Sequence, residues 1–268
     1  MVQHTFRRYE NKYLISTGQF ENLMQVITDH MDPDCYCIGG KAYPIYNIYF
    51  DNDGNDVIRH SLSKPYFKEK LRLRSYKEKP EPDDIVFLEL KSKCGGLVGK
   101  RRAQMTLWQV DEFLAGFSIP EKANYLQNQV LCEIRYFMET HQVKPAVYIC
   151  YERMAFFERK NPEFRLTFDF SIRTRRENLS FSYGSGGQEL LAPNTCLMEI
   201  KIADALPLWL TAALSEQKIF SESFSKYGRE YQSFKRSDSS STISEKGLPP
   251  VTDLCQEAGT VYDHAAIL

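Results

Sequence analysis

The chain has 268 residues, 43% of them hydrophobic and 26% charged, with a formal net charge of -1. That composition is ordinary for a globular protein, and a near-neutral total excludes bulk attraction to nucleic acid, so any anion binding must come from local clustering of cations. Seven cysteines is an odd number, and the closest pair, Cys35 and Cys37, is too close for a zinc knuckle; reduced thiols in a cytoplasmic protein are expected.

In chain order, "HTFRRYENKYLIS" (residues 4–16) alternates as a strand does, and Phe20, Leu23, Met24 and Ile27 fall on one face of a helix over 17–31. Strands are predicted over 43–51, 67–76 and 85–93. The glycines of "CGGLVG" then suit a hairpin turn into a strand over 100–107. A helix over 121–141 precedes strands over 146–158, 164–175 and 195–202, and helices over 206–217 and 225–234 close the series. From Arg236 the chain is polar and serine-rich, which predicts a disordered acidic tail over 237–268 following one domain over 1–236. The N-terminus lacks an apolar signal core and no apolar run is long enough to span a membrane, so a soluble protein is expected. About eight strands with few, scattered helices predict an α+β fold around an antiparallel sheet.

The strands share one habit. In "KEKLRLRSY", Lys68, Lys70, Arg72 and Arg74 lie two apart and therefore on one face. Arg8, Glu10 and Lys12 do the same, as do Glu89, Lys91 and Lys93, then Arg165, Thr167 and Asp169, then Glu199 and Lys201, while the opposite faces are mostly apolar or aromatic. One such strand is simply a solvated face; eight of them suggest a sheet closed on itself with the charges inside. A charged interior requires water and a ligand. Many cations beside a few carboxylates suit a polyphosphate: Arg and Lys neutralise phosphate oxygens while a carboxylate holds a divalent metal. "CGGLVGKR" is not a phosphate loop, since Cys94 and Arg101 stand where Gly and Ser or Thr are needed, and no HExxH or GxSxG motif occurs.

The ordered series "RRYENKY", "KLRLRSY", "FLELKSK", "KRR", "YERMAF", "FRLTFD", "LMEIKI" and "SKYGREY" resembles the polyphosphate polymerase domain of the vacuolar transporter chaperone (VTC) family, over about residues 5 to 234. That family belongs to the triphosphate tunnel metalloenzymes, so the resemblance implies a closed eight-stranded antiparallel tunnel with flanking helices. It implies catalytic contacts to phosphate from Lys12, Arg72, Arg74, Lys91, Arg153 and Arg165, and phosphate binding by Lys100, Arg102, Lys201, Ser225 and Lys226. Glu199 would hold Mn2+ or Mg2+, with Glu89 and Asp169 as a second metal contact or as orienters of neighbouring arginines. Lys68 and Lys70 are expected towards the tunnel mouth.

Arg8 stands where hydrolytic members carry the first Glu of a Glu-x-Glu-x-Lys strand, which favours polymerisation over hydrolysis. The implied activity is transfer of the γ-phosphoryl group of ATP to inorganic polyphosphate, in the cytoplasm, without nucleic acid and with room for a membrane-protein partner. A metal-dependent triphosphatase and a non-catalytic polyanion-binding module are the alternatives. Glu10 and Glu199 argue against the second, because carboxylates repel phosphate unless a metal intervenes.

Overall fold

The computed structural model describes residues 9–120, 124–203 and 205–245. Strand β1 (Tyr9–Ser16) turns directly into α1 (Thr17–His30). Ser16 makes that corner possible: its hydroxyl accepts from the Gln19 amide while the Gln19 side chain accepts from the Ser16 amide, satisfying two otherwise orphaned donors. Next come β2 (Met31–Pro33), β3 (Tyr43–Asp51), α2 (Asp56–Leu62) and β4 (Phe67–Ser75). The hairpin of β5 (Ile85–Cys94) and β6 (Leu97–Thr106) turns on Gly95 and Gly96, whose φ values of 54° and 91° side chains resist. Thr106 and Gln109 form a second capping box that starts α3 (Leu107–Gly116). The remaining elements are α4 (Tyr125–His141), β7 (Lys144–Glu158), β8 (Arg165–Arg175), β9 (Gln188–Glu189), β10 (Thr195–Ile202), α5 (Leu208–Glu216) and α6 (Lys226–Glu245).

Each of the predicted strands and helices is present, while β2, α2, α3 and β9 are additions. Residues 4–8 of the first predicted strand and 121–123 of the second predicted helix lie outside the described residues. Of the predicted tail, residues 237–245 are helical as the last part of α6, and 246–268 lie outside the described residues. The chain divides into compact units of Met1–Gln232 and Ser233–Leu268, and the sheet belongs to the first.

Every pairing is antiparallel, in the order β1-β10-β8-β7-β3-β4-β5-β6, with β2 added on β7 and β9 on β8 to make ten strands. The expectation of a closed eight-stranded tunnel is therefore corrected. Among the described residues β1 and β6 share no ladder, and the path is open. A side chain nonetheless reaches across from the strand next to the far end: Lys91 Nζ of β5 lies 3.2 Å from a Glu10 oxygen of β1. Twist accumulated over so many strands rolls a sheet until its ends approach.

The alternation fixes which face looks inward. Leu71, Leu73, Leu88 and Leu90 pack with Phe113 of α3 and Leu131 and Ile134 of α4. Leu166, Phe168, Met198 and Ile200 pack with Leu23 and Ile27 of α1 and Leu210 of α5. Each such fully buried side chain contributes roughly 1.5–3 kcal/mol. The helices thus cover the apolar face, and the charged face turns towards the concave side. A third cluster, including Tyr49, Tyr151, Ile58 of α2 and Tyr227 of α6, sets the start of α6 against that concave face.

Candidate functional site

The concave face encloses a cavity of about 1060 Å³, in which lining lysines and arginines outnumber glutamates three to one. Residues directly opposite on antiparallel strands share a face, so register decides which charges stand abreast. Arg72, Glu89 and Arg102 form one row across β4, β5 and β6. Lys70, Lys91 and Lys100 form the next, with no carboxylate among them. Lys70 therefore stands beside two predicted phosphate contacts, deeper than the mouth position expected for it.

Glu89 is 0% exposed, and its two oxygens accept from Arg72 Nε (2.7 Å) and Arg102 Nε (2.5 Å). Burial would raise its pKa, but Arg72, Arg74, Lys100 and Arg102 together hold it far below the usual carboxylate range. It does not line the cavity. Both of its oxygens are taken by arginines, an arrangement that aligns Arg72 and Arg102, the second of the two roles expected of Glu89. Tyr49 and Asn47 complete the alignment, accepting from Arg72 (3.2 Å) and Arg74 (3.0 Å), and Tyr151 accepts from Arg74 at 3.2 Å.

Asp169 plays the same part on β8. It takes Arg153 in a two-pronged pair at 2.6 and 2.8 Å and also accepts from Lys226 at the start of α6. Lys226 reaches Glu199 as well, at 3.2 Å. Ser225, just before α6, receives a hydrogen bond from Lys70 at 3.1 Å and accepts from the Gly228 amide at 3.2 Å. Arg165 pairs with Asp34 at 3.3 Å, and its buried Nε has no hydrogen-bond partner among the described residues.

Lys12 Nζ lies 3.1 Å from Glu10 and 3.7 Å from Glu199, so two carboxylates from neighbouring strands converge on one ammonium group. Burial would raise the Glu199 pKa, yet Lys226, Lys12, Lys201 and Arg153 hold it well below the ordinary range. Both groups are anionic and face the cavity. No trio of Asp, Glu, His or Cys able to hold a metal occurs among the described residues. Manganese and magnesium ions, however, are commonly bound by one or two carboxylates and completed by phosphate oxygens and water. Glu199, with Glu10 beside it, fits that kind of site.

The cations in excess are recorded in their acidity. Burial, then repulsion from Lys68, Lys12 and Lys91, pushes Lys70 down to about 7. Burial likewise lowers Lys201 to about 7 despite Glu199 and Glu10, and lowers Lys100 to about 8 despite Glu89. Charging such lysines costs free energy that a multivalent anion would offset.

The structure thus brings Lys12, Arg72, Arg74, Lys91, Lys100, Arg102, Arg153, Arg165, Glu199, Lys201, Ser225 and Lys226 around one cavity. Sequence reading passed over Asp34, Tyr49 and Asn47, which act through pairings that alternation alone does not reveal. Arg8 lies outside the described residues. Among the described residues no helix is long and apolar enough to cross a membrane.

The family model described as the VTC domain matches residues 7–235. No curated protein matches the chain. Among solved structures it is similar to a candidate adenylate cyclase from Vibrio parahaemolyticus, at 13% identity over 85% of this chain and 99% of that one, with a TM-score of 0.44. It is also similar to one from Bacillus halodurans, at 14% identity over 92% and 97% of the two chains, with a TM-score of 0.41.

Proposed function

Because this chain belongs to the VTC domain family, we propose that its cavity binds a nucleoside triphosphate and transfers the terminal phosphoryl group to a growing inorganic polyphosphate chain. The observation that carries this reading is the row of Lys70, Lys91 and Lys100, three lysines abreast whose acids, Glu10 for Lys91 and Glu89 for Lys100, come from neighbouring rows, beside arginines aligned by buried acids. A linear phosphate chain supplies negative charge at intervals along such a surface; a compact anion would satisfy only part of it.

Arg72, Arg74, Arg102 and Arg153 are held rigidly by Glu89, Asn47, Tyr151 and Asp169, so they meet developing charge without reorganising. Lys12 and Lys226, paired with Glu199 in the free protein, have phosphate oxygens as alternative partners once a chain enters. Arg165, whose side chain is about one-third exposed, lines the same cavity. The terminal phosphate of the acceptor chain attacks the γ-phosphorus in line; the bond to the β-phosphate oxygen breaks and the nucleoside diphosphate leaves. Phosphate monoesters lose their second proton near pH 6, so the nucleophile is already ionised and needs no protein base. When bound at Glu199, a manganese or magnesium ion would neutralise part of the phosphate charge.

Incubating the protein with ATP and Mn2+ and resolving the products on a gel tests this. A ladder of phosphate chains with matching ADP is expected. Free phosphate alone would instead establish a triphosphatase, and unchanged ATP would leave only a binding module.

A further inference from the structure

The two ends of the cavity differ in chemistry. Along β4 the inward series Lys68, Lys70, Arg72 and Arg74 continues to Tyr76, roughly 26 Å from Lys68 at strand spacing. At the Lys68 end the lining includes Lys64 and Lys93. At the other end Tyr76 meets Tyr36, from the loop between β2 and β3, and Tyr43 of β3. The Tyr36 and Tyr76 rings are parallel to within 1°, with centroids 6.2 Å apart, and Tyr43 leans on Tyr36 at 5.6 Å.

Tyr36 is 65% exposed and Tyr76 38%, so aromatic faces are left in water at the edge of a charged cavity. Aromatic faces gathered at the rim of a polar cavity are placed to stack on a ligand that enters it. The cluster is also tied to the phosphate side: Asp34 accepts from the Tyr43 hydroxyl at 3.1 Å and from Arg165 at 3.3 Å.

We propose that Tyr36, Tyr43 and Tyr76 form a stacking platform for the nucleobase of the nucleoside triphosphate, with its phosphates running from Arg74 towards Lys70. This rests on the triphosphate reading above and adds an end-to-end polarity to it. Every base has a π-face, so such a platform accepts any of them without hydrogen-bond readout. Tyr36 carries the test because it is the most exposed of the three and lies outside the ion-paired network.

Calorimetric titration with inorganic triphosphate and with an ATP analogue carrying an imido bridge between its β- and γ-phosphates separates the base from the phosphates. Wild type should bind the analogue more tightly than triphosphate. Tyr36→Ala should weaken the analogue about 5- to 150-fold, the worth of stacking one base on an aromatic side chain, and leave triphosphate within twofold. Tyr36→Phe, which keeps the ring, should keep the preference. Equal loss for both ligands, no loss for either, or loss of the preference in Tyr36→Phe would each overturn the platform while leaving the triphosphate site standing. Failure of wild type to bind either ligand would overturn the triphosphate reading and the platform with it.

Discussion

At the scale of single residues, the site separates into charges that are already satisfied and charges that are not. Glu89 and Asp169 are buried acids whose surrounding cations hold them ionised, and their consequence is rigid arginines. Breaking a buried pair of this kind is costly because it strands the remaining charge, so substitutions at Arg72 or Arg153 mix stability with function. Arg165 is the cleaner probe, being partly exposed and bound to Asp34 through one terminal nitrogen. Arg165→Ala should fold normally and lower turnover about 100- to 1000-fold, by analogy with the loss of one preorganised oxyanion donor. Steady-state kinetics check this, and undiminished turnover would remove Arg165 from the proposed machinery.

At the scale of elements, each strand places its charges by period two and each helix covers the apolar face so exposed. Thr106 connects the β5–β6 hairpin to α3, and Thr106→Ala should cost about 1 kcal/mol of stability, the usual worth of an N-cap side chain. Chemical denaturation would show that loss, while triphosphate affinity should be unchanged. The strands were readable because one face is apolar along nearly their whole length, as Leu88 and Leu90 against Glu89 and Lys91 illustrate. The start of α3 was also written in "TLWQ", a capping box, although its periodicity is weak. Helix α2 was not readable: it has seven residues, and the amides of Val57 and Ile58 at its start donate to Asp51 of the preceding strand. The candidate site was readable as a set of residue types, including Arg72, Arg165 and Glu199. Its arrangement was not, because Lys70 meets Lys91 and Lys100 only through strand register, and Arg165 meets Asp34 across 131 positions of sequence.

At the scale of the whole molecule, the cavity carries more positive charge than its own acids balance, and this makes binding depend on pH. The folded-state value of about 7 for Lys70 lies below the ~10.4 of an unfolded chain. This lysine's contribution therefore raises the stability of the free protein as pH rises across that window. A bound polyanion favours the protonated form, so binding takes up protons, and affinity should fall as pH rises from 7 to 9, where triphosphate itself stays ionised. Titration calorimetry in buffers of different ionisation enthalpy would detect the uptake; affinity that rises across that range would contradict it.

Whether the inward cations seat a linear phosphate chain is decided by a crystal structure of the protein with inorganic triphosphate bound. Phosphate oxygens are expected within hydrogen-bond distance of Arg72, Arg153 and Arg165 and beside the Lys70, Lys91 and Lys100 row, with Lys226 turned from Glu199 towards phosphate. Triphosphate bound only outside the cavity, with Lys226 still paired to Glu199, would contradict that seating.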